Sequence, residues 1–410
     1  MPVIVDAAPT AADLAGVEPA AVDLADPAFH SGDPHLVWAA MRARSPLHRQ
    51  DLGDGKAFWS VTRYADVCRV LSGHDEFTSA RGSLLTQLGG RETAAGVMLV
   101  ASDPPAHTRL RRPLARWFNS TAAARLRDRI VVAVRRVLHG VAEGGTWDAA
   151  GETAVLPVAV AAALLGLPEA DWPDLTRWTG MAAAPEDPAY RVARPEVTLA
   201  VAHHSLFEYF ADLGRTARGT DGLVGHLMAD AGGLSRDEVV VNCYSILLGA
   251  TATTPHTISG TVAALAERPG LYRAVVEDPG LVPGLVEEGL RWTSAASSFL
   301  RHATGRIELA GGTVEAGEAV VAWVGSANRD AEVFTDPFRF DAGRRPNRHI
   351  AFGLGPHYCL GASVARTTLQ VFFAEFRRLV GAVEPAGVPV PLRSNFVRGS
   401  GSVPLRVTAA

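Results

Sequence analysis

Apolar residues recur every three or four positions over residues 362–380. Val364, Leu369, Phe372, Phe376 and Leu379 fall on one stripe, which predicts an amphipathic helix. Helices are also predicted over 281–292 and 64–71. The longest predicted helix starts at Ser235, which forms a capping-box pattern with Glu238, and runs to Arg268, where Pro269-Gly270 stops it. At 1.5 Å per residue it would span roughly 50 Å. Another helix is expected from Asp103-Pro104-Pro105, with Asp103 as N-cap and Pro104 in the first turn. Pro113 should bend it, because proline cannot donate to the carbonyl of Arg109. Residues 58–61, 299–302, 307–309 and 319–323 read as strands, and 394–399 as a hairpin. Residues 92–100 have no clean period and read as a loop. The pattern predicts a mainly α fold with a small β region.

Composition narrows the class. The chain has 410 residues, 48% hydrophobic and 20% charged, so a large core is feasible. No linker or internal repeat divides it, and one domain over 26–410 is expected, preceded by a flexible segment, 1–25. The net charge of -4 gives no sign of a nucleic-acid partner. The first 25 residues lack a basic region followed by an apolar stretch, and no run of about 20 apolar residues occurs. The expectation is a cytoplasmic protein without a membrane partner, and a monomer. Cys68, Cys243 and Cys359 are too few and too scattered for a disulfide framework. Cys68 and Cys243 lie in apolar helical contexts and read as core thiols.

Cys359 differs. It lies in Phe352-Gly353-Leu354-Gly355-Pro356-His357-Tyr358-Cys359-Leu360-Gly361, directly before a predicted helix. Gly353, Gly355 and Gly361 let backbone approach something flat and turn amides toward the sulfur. A thiolate needs a metal or positive dipoles, and the following helix N-terminus supplies part of the latter. One thiolate suits haem iron better than zinc or an iron–sulfur cluster, which want several ligands. A zinc set of His349, His357 and Cys359 is the weaker alternative, and a buried structural thiol the blandest.

The run resembles the haem loop of the cytochrome P450 family, Phe-x-x-Gly-x-x-x-Cys-x-Gly, with Phe352, Gly355, Cys359 and Gly361 in register. The resemblance implies a haem-thiolate fold holding haem b, with Cys359 as iron ligand and Phe352, Gly353 and Gly361 in its cradle. It implies that His107 and Arg111, four apart on one helical face, bind the haem propionates with Arg301 and His357. It casts Glu288 and Arg291 as a buried pair that holds the fold. Residues 249–255, Gly-Ala-Thr-Ala-Thr-Thr-Pro, resemble the family's oxygen groove. There Thr253 matches the alcohol of the acid–alcohol pair, Thr251 is a further hydroxyl, and Ala252 stands where the acid is expected. Pro255 should free the carbonyl of Thr251.

The function implied is oxygen activation and insertion into an organic substrate, with NAD(P)H electrons arriving through ferredoxin reductase and ferredoxin. The weaker alternatives are oxidative coupling or a peroxide-driven oxidation, suggested by Ala252, and a haem sensor without turnover. Arg109, Arg112, Arg116, Arg345 and Arg366 are candidates for a ferredoxin-docking face. Candidate substrate walls are residues 84–100 and 181–190, Leu248, Ala295, Phe299, Phe396 and Val397. They suit a mid-sized, mostly apolar small molecule, such as a natural-product intermediate.

Overall fold

A computed structural model describes residues 8–216, 221–229 and 232–410. Helices form the larger part, and a five-stranded sheet lies to one side. Its strand order is Leu47–Asp51, Ala57–Val61, Ala319–Trp323, Ser298–Ala303, Phe77–Thr78. Only the Ala57–Val61 and Ala319–Trp323 pairing is parallel. All five residues of Ala319–Trp323 are buried, as a central strand covered on both faces requires.

The helix after the cysteine spans Ala362–Leu379 and packs on the helix Ser120–Val137. Its predicted stripe is the buried one: Leu369, Phe372 and Phe376 are in the main core, with Phe373 beside them. Helices Val282–Thr293 and Tyr64–Ser72 lie where the periodicity puts them.

Several expectations change. The long helix is two, Arg236–Thr251 and Thr254–Ala266. Thr253 leaves helical geometry, and Pro255 sits in the first turn of the second helix, where its missing N–H costs nothing. Pro269 starts the next helix, Pro269–Glu277. Asp103 is not an N-cap: helix Ala106–Ala115 has no side-chain cap, and Asp103 accepts from the Thr78 hydroxyl and the Ser79 amide. The stretch 394–399 is the turn between two short paired strands, Val390–Pro391 and Ser400–Ser402. Residues 8–25 carry the helix Ala11–Ala15, and Leu24 is fully buried; residues 1–7 lie outside the described residues.

Candidate active site

The cysteine loop is shaped by its backbone. Gly353 and Gly355 have φ of +69° and +67°, which side chains other than glycine rarely adopt. A Cβ on Gly355 would lie 2.7 Å from Ser72 Cα, so the glycine also permits contact with helix Tyr64–Ser72. The Cys359 amide donates to the Phe352 carbonyl at 2.8 Å and closes the loop. Burial raises the Cys359 thiol pKa, while the Gly361 amide, Arg111 and Arg366 pull it down. Gly361 thus serves through its amide, having an ordinary φ of -84°. His349 turns to Glu287, 3.0 Å away, and among the described residues no three His, Cys, Asp or Glu side chains gather as a metal site. The zinc alternative is dropped.

Four basic side chains converge beside this loop. Arg111 donates to the carbonyls of Pro356 (3.3 Å) and Tyr358 (2.8 Å). The His107 and His357 rings are 4.6 Å apart. His357 Nε2 lies 3.1 Å from Ser79 Oγ. Arg301 is buried and donates only to its neighbour's carbonyl, Leu300, at 2.8 Å. Burial, then Arg301, His107 and Arg111, drive the His357 pKa down to about 3. Burial takes Arg301 to about 10, opposed by Asp103. Burial and then Arg111 lower His107, whose Nε2 is buried without a partner. Among the described residues Asp103 is the carboxylate that acts on both His107 and Arg301, and it is already engaged with Thr78 and Ser79. The buried Arg301, whose nearby carboxylate is already engaged, the half-buried Arg111 and the orphaned His107 imidazole nitrogen are what a ligand with two carboxylates would satisfy. A thiolate donor beside them completes a set that fits haem and its propionates.

Glu288 and Arg291 are fully buried and joined by two 2.8 Å hydrogen bonds. Arg291 also donates to the carbonyls of Asn328 and Pro337, both at 2.9 Å. Glu288 accepts from the Asp341 amide, Arg344 and Asn347. The pair therefore pins the segment leading to the cysteine loop to helix Val282–Thr293.

The helix break presents two hydroxyls held unequally. Thr251 Oγ1 donates back to the Leu247 carbonyl at 2.9 Å. Thr253 Oγ1 has only a long contact, 3.4 Å, to the Gly249 carbonyl. Ala252 packs in a small apolar cluster with Ala183, Ala184, Tyr190, Leu392, Phe396 and Val397. Phe299 meets Phe396 edge-to-face at 6.0 Å, and the Arg398 amide donates to the Ala295 carbonyl. The candidate walls 181–190, 295–299 and 396–397 are thus brought together beside Ala252. Leu248 is partly buried against the main core instead.

The arginine face is less free than its sequence suggests. Arg109 is ion-paired with Glu238, Arg116 lies against His226, and Arg366 is bound to Glu287. Arg112 and Arg345 are exposed. The Glu287–His349–Arg366 network escaped sequence reasoning, since its members are 62 and 79 residues apart and carry no motif.

Among the described residues no helix is long and apolar enough to cross a membrane. A family model described as Cytochrome P450 matches residues 280–378. Cytochrome P450 NovI of Streptomyces niveus is 32% identical over 94% of this chain and 96% of its own. Nocardicin C N-oxygenase of Nocardia uniformis subsp. tsuyamanensis is 36% identical over 87% of this chain and 93% of its own. The crystal structure of P450 OxyD, described as involved in the biosynthesis of vancomycin-type antibiotics, matches with a TM-score of 0.85 and 34% identity, over 95% of this chain and 100% of that one.

Proposed function

The chain belongs to the cytochrome P450 family and is a P450 monooxygenase; from that premise we propose that it hydroxylates or epoxidises a mid-sized, mostly apolar biosynthetic intermediate. Electrons would come from NAD(P)H through ferredoxin reductase and ferredoxin. The observation that carries the substrate reading is the apolar cluster around Ala252, with the Tyr190 and Ser394 hydroxyls beside it. The relatives named for nocardicin C and for vancomycin-type antibiotics support a biosynthetic intermediate.

Haem, held by Cys359 and by His107, Arg111, Arg301 and His357, supplies the redox chemistry of O2 when bound. The chain's own residues must then hold the substrate, keep bulk water out and deliver protons. Ala252, Phe396 and Val397 exclude water by packing. The Thr253 hydroxyl is the best placed to pass a proton, because its one contact is long and easily exchanged. The Thr251 proton is committed to a helix carbonyl, which leaves its oxygen as an acceptor. With a methyl at 252, the group behind Thr253 is ordered water or a polar group of the substrate.

Compounds that shift the haem absorption of the purified protein would identify the substrate class. With such a compound, ferredoxin and its reductase, NAD(P)H consumption should match oxygenated product. Consumption that never yields product would reject this reading. Ala252 favours one second reading, a coupling or peroxide-driven oxidation, which would show as product formed from peroxide without ferredoxin.

A further inference from the structure

Arg366, Glu287 and His349 on the cysteine side form a network separate from the propionate cradle. Arg366 donates from Nε and Nη2 to the two oxygens of Glu287, at 2.7 and 2.9 Å. His349 Nε2 lies 3.0 Å from the same carboxylate. Burial opposes ionisation of Glu287, but His349 and Arg366 prevail and hold its pKa at about 2. Both Arg366 and Glu287 stay about one-third exposed, at 32% and 30%.

The guanidinium reaches two residues of the ligand loop that precede Cys359. Its carbon lies 4.6 Å from the centre of the Phe352 ring, a cation–π distance. Nη1 donates to the Tyr358 hydroxyl at 3.1 Å. Phe352 in turn accepts from the Cys359 amide, and Tyr358 precedes Cys359 in the chain. A positive charge is therefore fixed against the residue whose carbonyl holds the Cys359 amide and the residue just before Cys359, and a negative charge is fixed behind the guanidinium. A cation near a thiolate draws charge from it and favours an added electron on the bound iron; a carboxylate does the reverse.

We propose that Arg366 and Glu287 are positioning residues acting as an opposed pair: Arg366 raises the reduction potential of haem held at Cys359, and Glu287 offsets it. The proposal rests on the haem-thiolate reading. The test is the ferric–ferrous midpoint potential of the purified holoenzyme, by spectroelectrochemical titration. Arg366→Gln should lower the potential and Glu287→Gln should raise it. The double variant should lie between the two single variants, since it removes a pair of opposite charges and so no net charge. Arg366→Lys, which keeps the charge, should lie closer to the parent than Arg366→Gln. All four should keep the long-wavelength carbonyl band of thiolate ligation. A purely mechanical clamp would shift both single variants in one direction and cost that band in both, which overturns the proposal. If Arg366→Gln fails to retain haem, the sign of the Glu287→Gln shift decides, with a fall or no change rejecting it. A parent protein without the thiolate band would instead reject the haem-thiolate reading.

Discussion

The cysteine loop and the broken helix differ in how firmly their side chains are held. Around Cys359, Arg111 is bound to two loop carbonyls, Arg366 to Glu287, and His357 to Ser79. At the break, the Thr253 hydroxyl has a 3.4 Å contact and the Ala252 methyl packs in an apolar cluster. Ligation of one iron requires one geometry, so the chain surrounds it with charged and hydrogen-bonded partners. Handling a substrate requires a surface that can be reshaped, so small and apolar side chains suffice there. The first region should break sharply when a partner is lost, and the second should keep its fold while its chemistry changes.

The largest effect is expected where the held side is most buried. Glu288→Ala leaves the fully buried Arg291 without its carboxylate, which costs about 3–5 kcal/mol of stability, whereas Arg291→Ala should cost less because Arg344 still pairs with Glu288. Denaturant unfolding should show the Glu288→Ala loss, and a change below about 1 kcal/mol in that variant would break the comparison. The propionate cradle comes next. Combined His107→Ala and Arg111→Ala should lower haem occupancy, read as the ratio of haem to protein absorbance, while loaded molecules keep thiolate ligation. Unchanged occupancy would remove those two residues from the cradle.

On the loose side, Thr253→Ala should leave the unfolding midpoint nearly unchanged but release peroxide in place of product. Product per NAD(P)H should fall about a hundredfold, the low end for a positioned proton carrier. Full coupling in that variant would move the substrate-assisted or peroxide-driven route ahead. The smallest effect is at the rim: Arg112→Glu should weaken ferredoxin-dependent turnover and its salt sensitivity, with substrate affinity unchanged. A turnover that ignores both salt and this charge would rule out electrostatic docking there.

The same contrast decides what was legible in the sequence. Cys359, Gly353 and Gly355 lie within seven residues, and their demands are local: a positive φ, a close approach and a free amide. Helical periodicity put His107 and Arg111 on one face, while their role toward propionates came only from the resemblance to the family's motif. The buried stripe of Ala362–Leu379 was equally plain, because 3.6-residue spacing and burial agree there. The break at Ala252 and Thr253 was not, because Pro255 is as compatible with a bent helix as with the first turn of a new one. Asp103 read as a cap from its neighbours alone, whereas Thr78 and Ser79, from a distant strand edge, claim its carboxylate. The Ala252 cluster draws on residues 183–190 and 392–397, and nothing at either place announces the other.

The central claim is that Cys359, as a thiolate, holds haem in this chain. Its most direct test is the absorption spectrum of the reduced protein under carbon monoxide, recorded for the parent and for Cys359→Ala. The parent should show the long-wavelength Soret band of thiolate coordination, and Cys359→Ala should lose that band together with turnover. A parent adduct without the band, or a Cys359→Ala protein that keeps it, would contradict the account.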